Sequence, residues 1–145
     1  DDAVLYRNTW GDGLYLILRD ADVAADCALD LQEAIAAVRL EEAGLPPFIA
    51  LRIGGHFGPV WEREDPVLHH TGYFGAHVSR AARIEPVTIP GSVFVSEPFA
   101  ARLALVRPDF RFEYVGERQA AKAYGSMRMY LLHRAATGTG RVDAR

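Results

Sequence analysis

Short apolar blocks separated by turn residues run along the chain, and each predicts an element. A run ending at Trp10 meets Gly11-Asp12-Gly13, and an apolar run from Leu14 to Leu18 leaves it. Gly-Asp-Gly between two strand-like runs predicts a tight hairpin, because glycine takes backbone angles that other residues resist. Asp12 then stands at the hairpin tip. Asp20-Ala21-Asp22 starts a helix. Val23, Cys27, Leu31, Ile35 and Val38 recur at spacings of four and three, one apolar helical stripe. Asp22, Asp26, Asp30, Glu33 and Arg39 fall mostly off that stripe and read as a solvated face. Gly44 and then Pro46-Pro47 end this helix.

Phe48 to Ile53 is dense in apolar and β-branched residues and predicts a strand. Gly54-Gly55-His56-Phe57-Gly58-Pro59 closes it, a stretch suited to a backbone passing close to a neighbour. It is no dinucleotide fingerprint, because no helix follows. Val60 to Arg63 predicts a short strand, Glu64-Asp65-Pro66 a turn, and Val67 to His70 the returning partner. Gly75 to Ile84 reads as a helix stopped by Pro86, with Ser79 and Arg83 one turn apart on a shared face. Gly91 to Ser96 predicts a strand. Glu97 to Leu105 predicts a helix, with Ser96 as N-cap and Pro98 in its first turn. Phe110, Phe112 and Tyr114 alternate with Arg111 and Glu113, a half-buried strand, and Met127 to Leu132 supplies its antiparallel partner. Residues 135–145 read as a flexible tail. Strands outnumber helices without strict alternation, which predicts an α+β fold, a mostly antiparallel sheet with packed helices.

Composition narrows the class. A chain of 145 residues with half its positions hydrophobic fits one globular domain with a real core. A net charge of −3 argues against a dedicated nucleic-acid binder. The single cysteine, Cys27, excludes an intrachain disulfide and a thiolate metal cluster, and reads as a small core residue. No apolar run is long enough to span a bilayer and no signal-peptide pattern opens the chain, so a cytoplasmic location is the default expectation. His69, His70 and His77 have no known metal-site spacing. His56 is expected in a structural role, a ring nitrogen bonded to a backbone carbonyl.

Three stretches, in this order, resemble the catalytic domain of the class III nucleotidyl cyclases, the adenylate and guanylate cyclases. Asn8-Thr9-Trp10-Gly11-Asp12-Gly13 is similar to the family's metal-binding turn. Leu51-Arg52-Ile53-Gly54-Gly55-His56-Phe57-Gly58-Pro59-Val60 resembles its arginine-isoleucine-glycine strand. Phe74 to Glu85, followed by Pro90-Gly91-Ser92-Val93-Phe94-Val95-Ser96, resembles its asparagine-and-arginine helix and the strand after it. The resemblance covers Asn8 to Leu132 and implies a cyclase-homology domain over 1–134. It further implies a ferredoxin-like palm that works as a head-to-tail homodimer, or within a larger parent chain. Two composite sites would bind a nucleoside triphosphate and Mg²⁺ or Mn²⁺. The implied chemistry is attack of the ribose 3′-oxygen on the α-phosphorus, with pyrophosphate leaving, its charge stabilised by metal ions and by cationic or amide donors.

Transferred one residue at a time, the resemblance implies a weakened site. The metal aspartate of the turn is kept as Asp12. Its partner on the family's first strand is expected upstream of Asp1, and loss of that strand is expected to expose an apolar sheet edge. The base-reading lysine or glutamate becomes Asn8, and the second base-reading position falls at Gly72, which has no side chain. The transition-state asparagine becomes Ser79, while the transition-state arginine is kept as Arg83. The alternative for Arg83 is an ordinary helix arginine paired with Glu85 or Glu62. The phosphate-binding lysine falls at Tyr124, with Lys122 close by. These departures imply a degenerate, regulatory or dimerising domain with residual nucleotide binding. The alternatives are an active cyclase completed by the upstream aspartate, or a protein-interaction module that binds no nucleotide.

Overall fold

The computed structural model describes residues 3–119 and 125–136. Its elements, in order, are β1 (Val4–Trp10), β2 (Gly13–Leu18), α1 (Ala21–Ala37), β3 (Arg52–Gly55), β4 (Trp61–Glu64), β5 (Thr71–Phe74) and α2 (Ala76–Ile84). After a 3₁₀ turn (Glu85–Val87) come β6 (Ser92–Ser96), α3 (Glu97–Ala104), β7 (Phe110–Gln119) and β8 (Ser126–Arg134). The expected tail falls almost wholly outside the described residues.

The central sheet has the order β3-β6-β8-β7, with β3 parallel to β6 and the other pairs antiparallel. β6 is buried on both faces, as a near-continuous apolar run requires. Val93 and Val95 face a cluster of Ala21, Ala25, Phe99, Leu103, Phe110 and Leu132, which α1 and α3 cover. Phe94 faces Ile84 of α2 and Met129. The hairpins β1-β2 and β4-β5 form two further sheets. Among the described residues β2 is paired only with β1 and β3 only with β6, so each keeps one edge without a ladder partner. α1 touches both β2 and β3. The result is the expected α+β fold with a mostly antiparallel sheet.

Several expectations are corrected. α1 forms, but its core face is the alanine side, Ala21 and Ala25 with Ala24, Ala28 and Leu29 beside them, and not the Val23–Cys27–Leu31 stripe. Small residues let the helix backbone approach the sheet closely. The acidic face is not merely solvated. Asp26, Asp30 and Glu33 meet Arg107 and Arg134 in ion pairs. α1 also stops at Ala37, where Val38 turns extended. Gly44 instead ends a separate turn, with Leu45 N–H bonding Leu40 C=O and Gly44 N–H bonding Glu41 C=O, and Gly44 φ at +71°.

The strand expected over 48–53 is shorter and later, Arg52–Gly55. The Gln32 amide and the Gly91 N–H both bond the Leu51 carbonyl, and Phe48 is 84 % exposed. Val67 to His70 is a turn, not a strand. The Asp65 carboxylate accepts from Val67 and Leu68 N–H and holds the chain back until Thr71.

Candidate functional site

The hairpin forms where expected. Trp10 pairs with Gly13, Gly11 and Asp12 make a two-residue loop, and Gly11 takes a φ of +63°. Asp12 lies exposed at the tip. An aromatic cluster stiffens the hairpin. Trp10 stacks on Tyr15 at 4.7 Å, Tyr6 meets Tyr15 edge-on at 5.9 Å, and Tyr6 reaches Tyr73 of β5 at 5.7 Å. The Tyr15 hydroxyl is buried and has no hydrogen-bond partner among the described residues. Burial, with Tyr6 second, pushes its pKa up to about 12.

Asn8 sits on β1, its amide held by two neighbours. Its Oδ1 accepts from Thr9 N–H at 2.8 Å and its Nδ2 donates to the Tyr6 hydroxyl at 3.2 Å. Gly72 is buried on β5, opposite Arg63, and a Cβ there would lie 3.0 Å from the Phe74 ring. The Tyr6–Tyr73 contact ties the strand of Asn8 to the strand of Gly72, so the two positions belong to one region of the molecule.

Ser79 and Arg83 stand together on α2, which packs on β3, β5 and β6. Ser79 is exposed and Arg83 half-buried. Nearby, Glu85 pairs with Arg52 at 3.0 Å, and Glu62 accepts from the Tyr73 hydroxyl at 2.7 Å. That hydrogen bond to Glu62 also raises the Tyr73 pKa. α2 is seated by close backbone approach. A Cβ on Gly54 would fall 2.6 Å from the Glu85 amide nitrogen. Lys122 and Tyr124 lie outside the described residues.

A hydrogen-bonded row was missed from the sequence. His56 Nδ1 lies 2.6 Å from Ser96 Oγ, and its Nε2 lies 2.8 Å from His77 Nδ1. The expected backbone carbonyl partner is therefore replaced by two side chains. Ser96 does occupy the N-cap position of α3, but its hydroxyl makes no cap bond there. Burial first, then His77 and Arg80, push the His56 pKa down to about 4. No sequence spacing links positions 56, 77 and 96; Gly58 was the available signal, since a Cβ there would sit 2.1 Å from His77 Nδ1.

For a metal ion the described residues offer little. No group of three or more His, Cys, Asp or Glu among them is arranged to hold one. Asp12 supplies one carboxylate, whereas magnesium is held by carboxylates together with substrate phosphates. The described residues alone do not fit a two-metal centre.

An α+β fold with a mostly antiparallel sheet and helices packed on both faces is the palm fold of the nucleotidyl cyclase catalytic domains. The chain belongs to that family: the adenylate and guanylate cyclase catalytic domain matches residues 15–134. It is 36% identical over 89 residues to a Rhizobium meliloti (strain 1021) protein named "Putative adenylate cyclase 3", covering 60% of this chain and 14% of that protein. The chain thus spans only a small part of that relative's length. The guanylate cyclase domain of RhGC from Catenaria anguillulae, solved in complex with GTP, superposes with a TM-score of 0.71 at 26% identity, over 90% of this chain and 72% of that one. The adenylyl cyclase CyaB from P. aeruginosa shares the fold, with a TM-score of 0.76 at 13% identity over 94% and 75% of the two chains. No helix among the described residues is long and apolar enough to cross a membrane.

Proposed function

We propose that this class III cyclase domain is degenerate, a regulatory or dimerising module of cyclic-nucleotide signalling that keeps weak nucleoside triphosphate binding. The observation that carries the reading is Asn8. At the position where the family reads the base with a charged lysine or glutamate stands a neutral amide, one donor of which goes to Tyr6 and one acceptor site to Thr9 N–H. Gly72 adds no side chain at the second such position. Ser79 stands in for the transition-state amide with a shorter reach. Loss of one transition-state donor costs about 10²–10³ in rate, and the altered base-reading positions and the metal carboxylate missing among the described residues lower turnover further. Arg83 is retained to contact phosphate, and Asp12 to share a Mg²⁺ or Mn²⁺ ion with that phosphate. Lys122 and Tyr124 are the candidates for the remaining phosphate contact.

The partner in this reading is a second cyclase domain, a head-to-tail copy or one within a larger parent chain in the cytoplasm. Trp61 and Phe74 form a cross-strand pair on the β4-β5 hairpin and are 67% and 47% exposed, an apolar face suited to such pairing. The test is a cyclase assay of the longest native protein with ATP, GTP, CTP and UTP and either metal. Turnover above about 1 s⁻¹, in the ordinary range of enzymes, would overturn the degenerate reading. It would favour the second reading, an active cyclase completed from outside this segment, which retention of Asp12 and Arg83 supports. A domain that dimerises but shows no melting shift with any nucleotide would be an interaction module only.

A further inference from the structure

We propose that Ser96, His56 and His77 form a proton-sensitive latch that seats the first turn of α2 at neutral pH and releases it on acidification. The row joins three parts of the fold. Ser96 lies at the β6–α3 junction, His56 just beyond β3, and His77 in the first turn of α2. The two imidazoles are nearly coplanar, 9° apart with centroids separated by 5.0 Å, so the 2.8 Å contact runs edge to edge.

Proton counting makes the contact conditional. Two ring nitrogens at 2.8 Å need one proton between them. Either the Ser96 hydroxyl donates to His56 Nδ1 and His56 Nε2–H donates to His77, or His77 Nδ1–H donates to His56 Nε2 and His56 Nδ1–H donates to Ser96. Both neutral arrangements close the row. One added proton is also accommodated, because a single imidazolium still donates to a neutral ring. A second is not, since it sets two N–H groups against each other and two cations side by side. The other charges near His56 do not relieve this. Arg80 on α2 is a cation, and Arg102 on α3, committed to Asp20, lies over the neighbouring Phe57 ring. Ser96 contributes only a neutral hydroxyl.

The first turn of α2 has little else to hold it. Its N-cap is Gly75, with no side-chain cap bond, and the Ser79 N–H to Gly75 C=O bond is long at 3.5 Å. A helix of nine residues is not stable without tertiary support. Gly58 shows how the 56–60 loop is shaped to the latch, because any Cβ would strike the His77 ring. α2 carries Ser79 and Arg83, so release would loosen both. The latch itself rests on the three side chains and not on any nucleotide chemistry.

The test uses the full chain. Amide exchange of Ser79 and Arg80, the first α2 amides with intrahelical acceptors, corrected for intrinsic rate, is followed from pH 7.5 to 4.5, with 93–95 of β6 as the internal standard. At least a tenfold loss of protection confined to these first-turn bonds is expected, and it should vanish in His77→Thr. Constant protection, or the same loss in His77→Thr, would overturn the latch. Should that variant fail to fold, imidazole ¹⁵N spectra of the unmodified protein decide. The latch requires one bare and one protonated nitrogen at the His56–His77 contact at pH 7 and a stepwise, coupled titration. Two rings titrating independently at the ordinary histidine value would exclude it.

Discussion

Arg134, at the end of β8, donates to the Asp30 carboxylate on α1 at 2.6 Å, across 104 positions of sequence. The same guanidinium also bonds Glu33 and approaches Asp26 at 3.5 Å. Arg107 takes Asp26 and Asp109, and Arg102 takes Asp20. These pairs run along α1 and tie its outer face to β8, α3 and the loop before β7. An isolated exposed pair contributes almost nothing, whereas a network on a part-buried guanidinium contributes more. Arg134→Ala should therefore lower stability in urea by about 1 kcal/mol. The difference from the parent protein should shrink between 0.05 and 0.5 M salt as the Debye length falls. A difference insensitive to salt would show that the arginine stem, not its charge, is what matters.

Asp20 acts twice, capping α1 through Ala21 N–H at 2.7 Å and pairing with Arg102. The Arg102 hydrogen bond first, then the Ala21 amide, hold its carboxyl below the ordinary value. A carboxyl depressed in the folded state stabilises above its unfolded pKa and loses that contribution as pH falls through the folded one. Asp20→Ala should cost about 1–2 kcal/mol at pH 7. Asp20→Asn, which keeps an acceptor for the cap, should cost less. Both gaps should narrow in acid, as pH falls through the depressed folded pKa and the carboxylate is protonated. Thermal melts from pH 7 to 2.5 would check this, and a gap that persists in acid would contradict it.

The contrast between α1 and α2 shows what the sequence made legible. Local chemistry located the hairpin at Gly11-Asp12, the helix that Pro86 stops and the strand around Phe94. It also put Ser79 and Arg83 on one helix. What it missed depends on partners far along the chain. The Val23–Cys27–Leu31 stripe was the more hydrophobic face, yet the alanine face won because it permits closer approach to Val93 and Val95. Gly44 does not end α1, which stops at Ala37, because nothing local marks the break at Val38. In the site, the substitutions at Asn8 and Gly72 were visible as residue types. That the Asn8 amide would be taken by Tyr6, or that Ser96 and His77 would close on His56, needed the fold.

His56 gives a pH dependence of opposite origin to that of Asp20. Its folded pKa lies below the unfolded value, so the unfolded chain binds more protons between about pH 6.5 and 4. Stability is complete above 6.5 and declines as pH falls through this window. The loss, discounted for a ring only partly buried, is about 1–2 kcal/mol by pH 4.5. His56→Gln cannot titrate and should flatten this segment of the melting curve against pH, while the carboxylate-driven loss below pH 4 remains. Parallel curves for the two proteins would refute the assignment.

Gly54 fixes α2 relative to the sheet without any polar contact. Its virtual Cβ meets the Glu85 amide at 2.6 Å and Ile84 carbonyl carbon at 3.1 Å, both backbone atoms that cannot rotate away. Gly54→Ala should cost about 1–3 kcal/mol, the range for overpacking. It should also displace the C-terminal end of α2, which carries Arg83. Amide chemical shifts of 82–85 should move more than those of β7. A near-neutral variant would mean that α2 slides freely on β3, contrary to its tight seat.

The proposed nucleotide binding assigns Asp12 and Arg83 separable roles. A ligand that binds only the folded state raises the melting temperature in proportion to ln(1 + [L]/Kd). With 1 mM triphosphate and Mg²⁺, the parent protein should show an increase of a few degrees. Arg83→Ala removes a charge-assisted hydrogen bond worth about 1.5–3 kcal/mol, and so should weaken binding about tenfold or more and abolish the shift with or without metal. Asp12→Ala should leave the metal-free shift intact and remove only the increment that Mg²⁺ or Mn²⁺ adds, because an exposed hairpin carboxylate reaches the phosphates only through a cation. If Asp12→Ala and Arg83→Ala lose the same metal-dependent increment and nothing else, Arg83 acts on the ion's site and not on phosphate. If neither changes any shift, nucleotide binds elsewhere and the inherited half-site is vestigial.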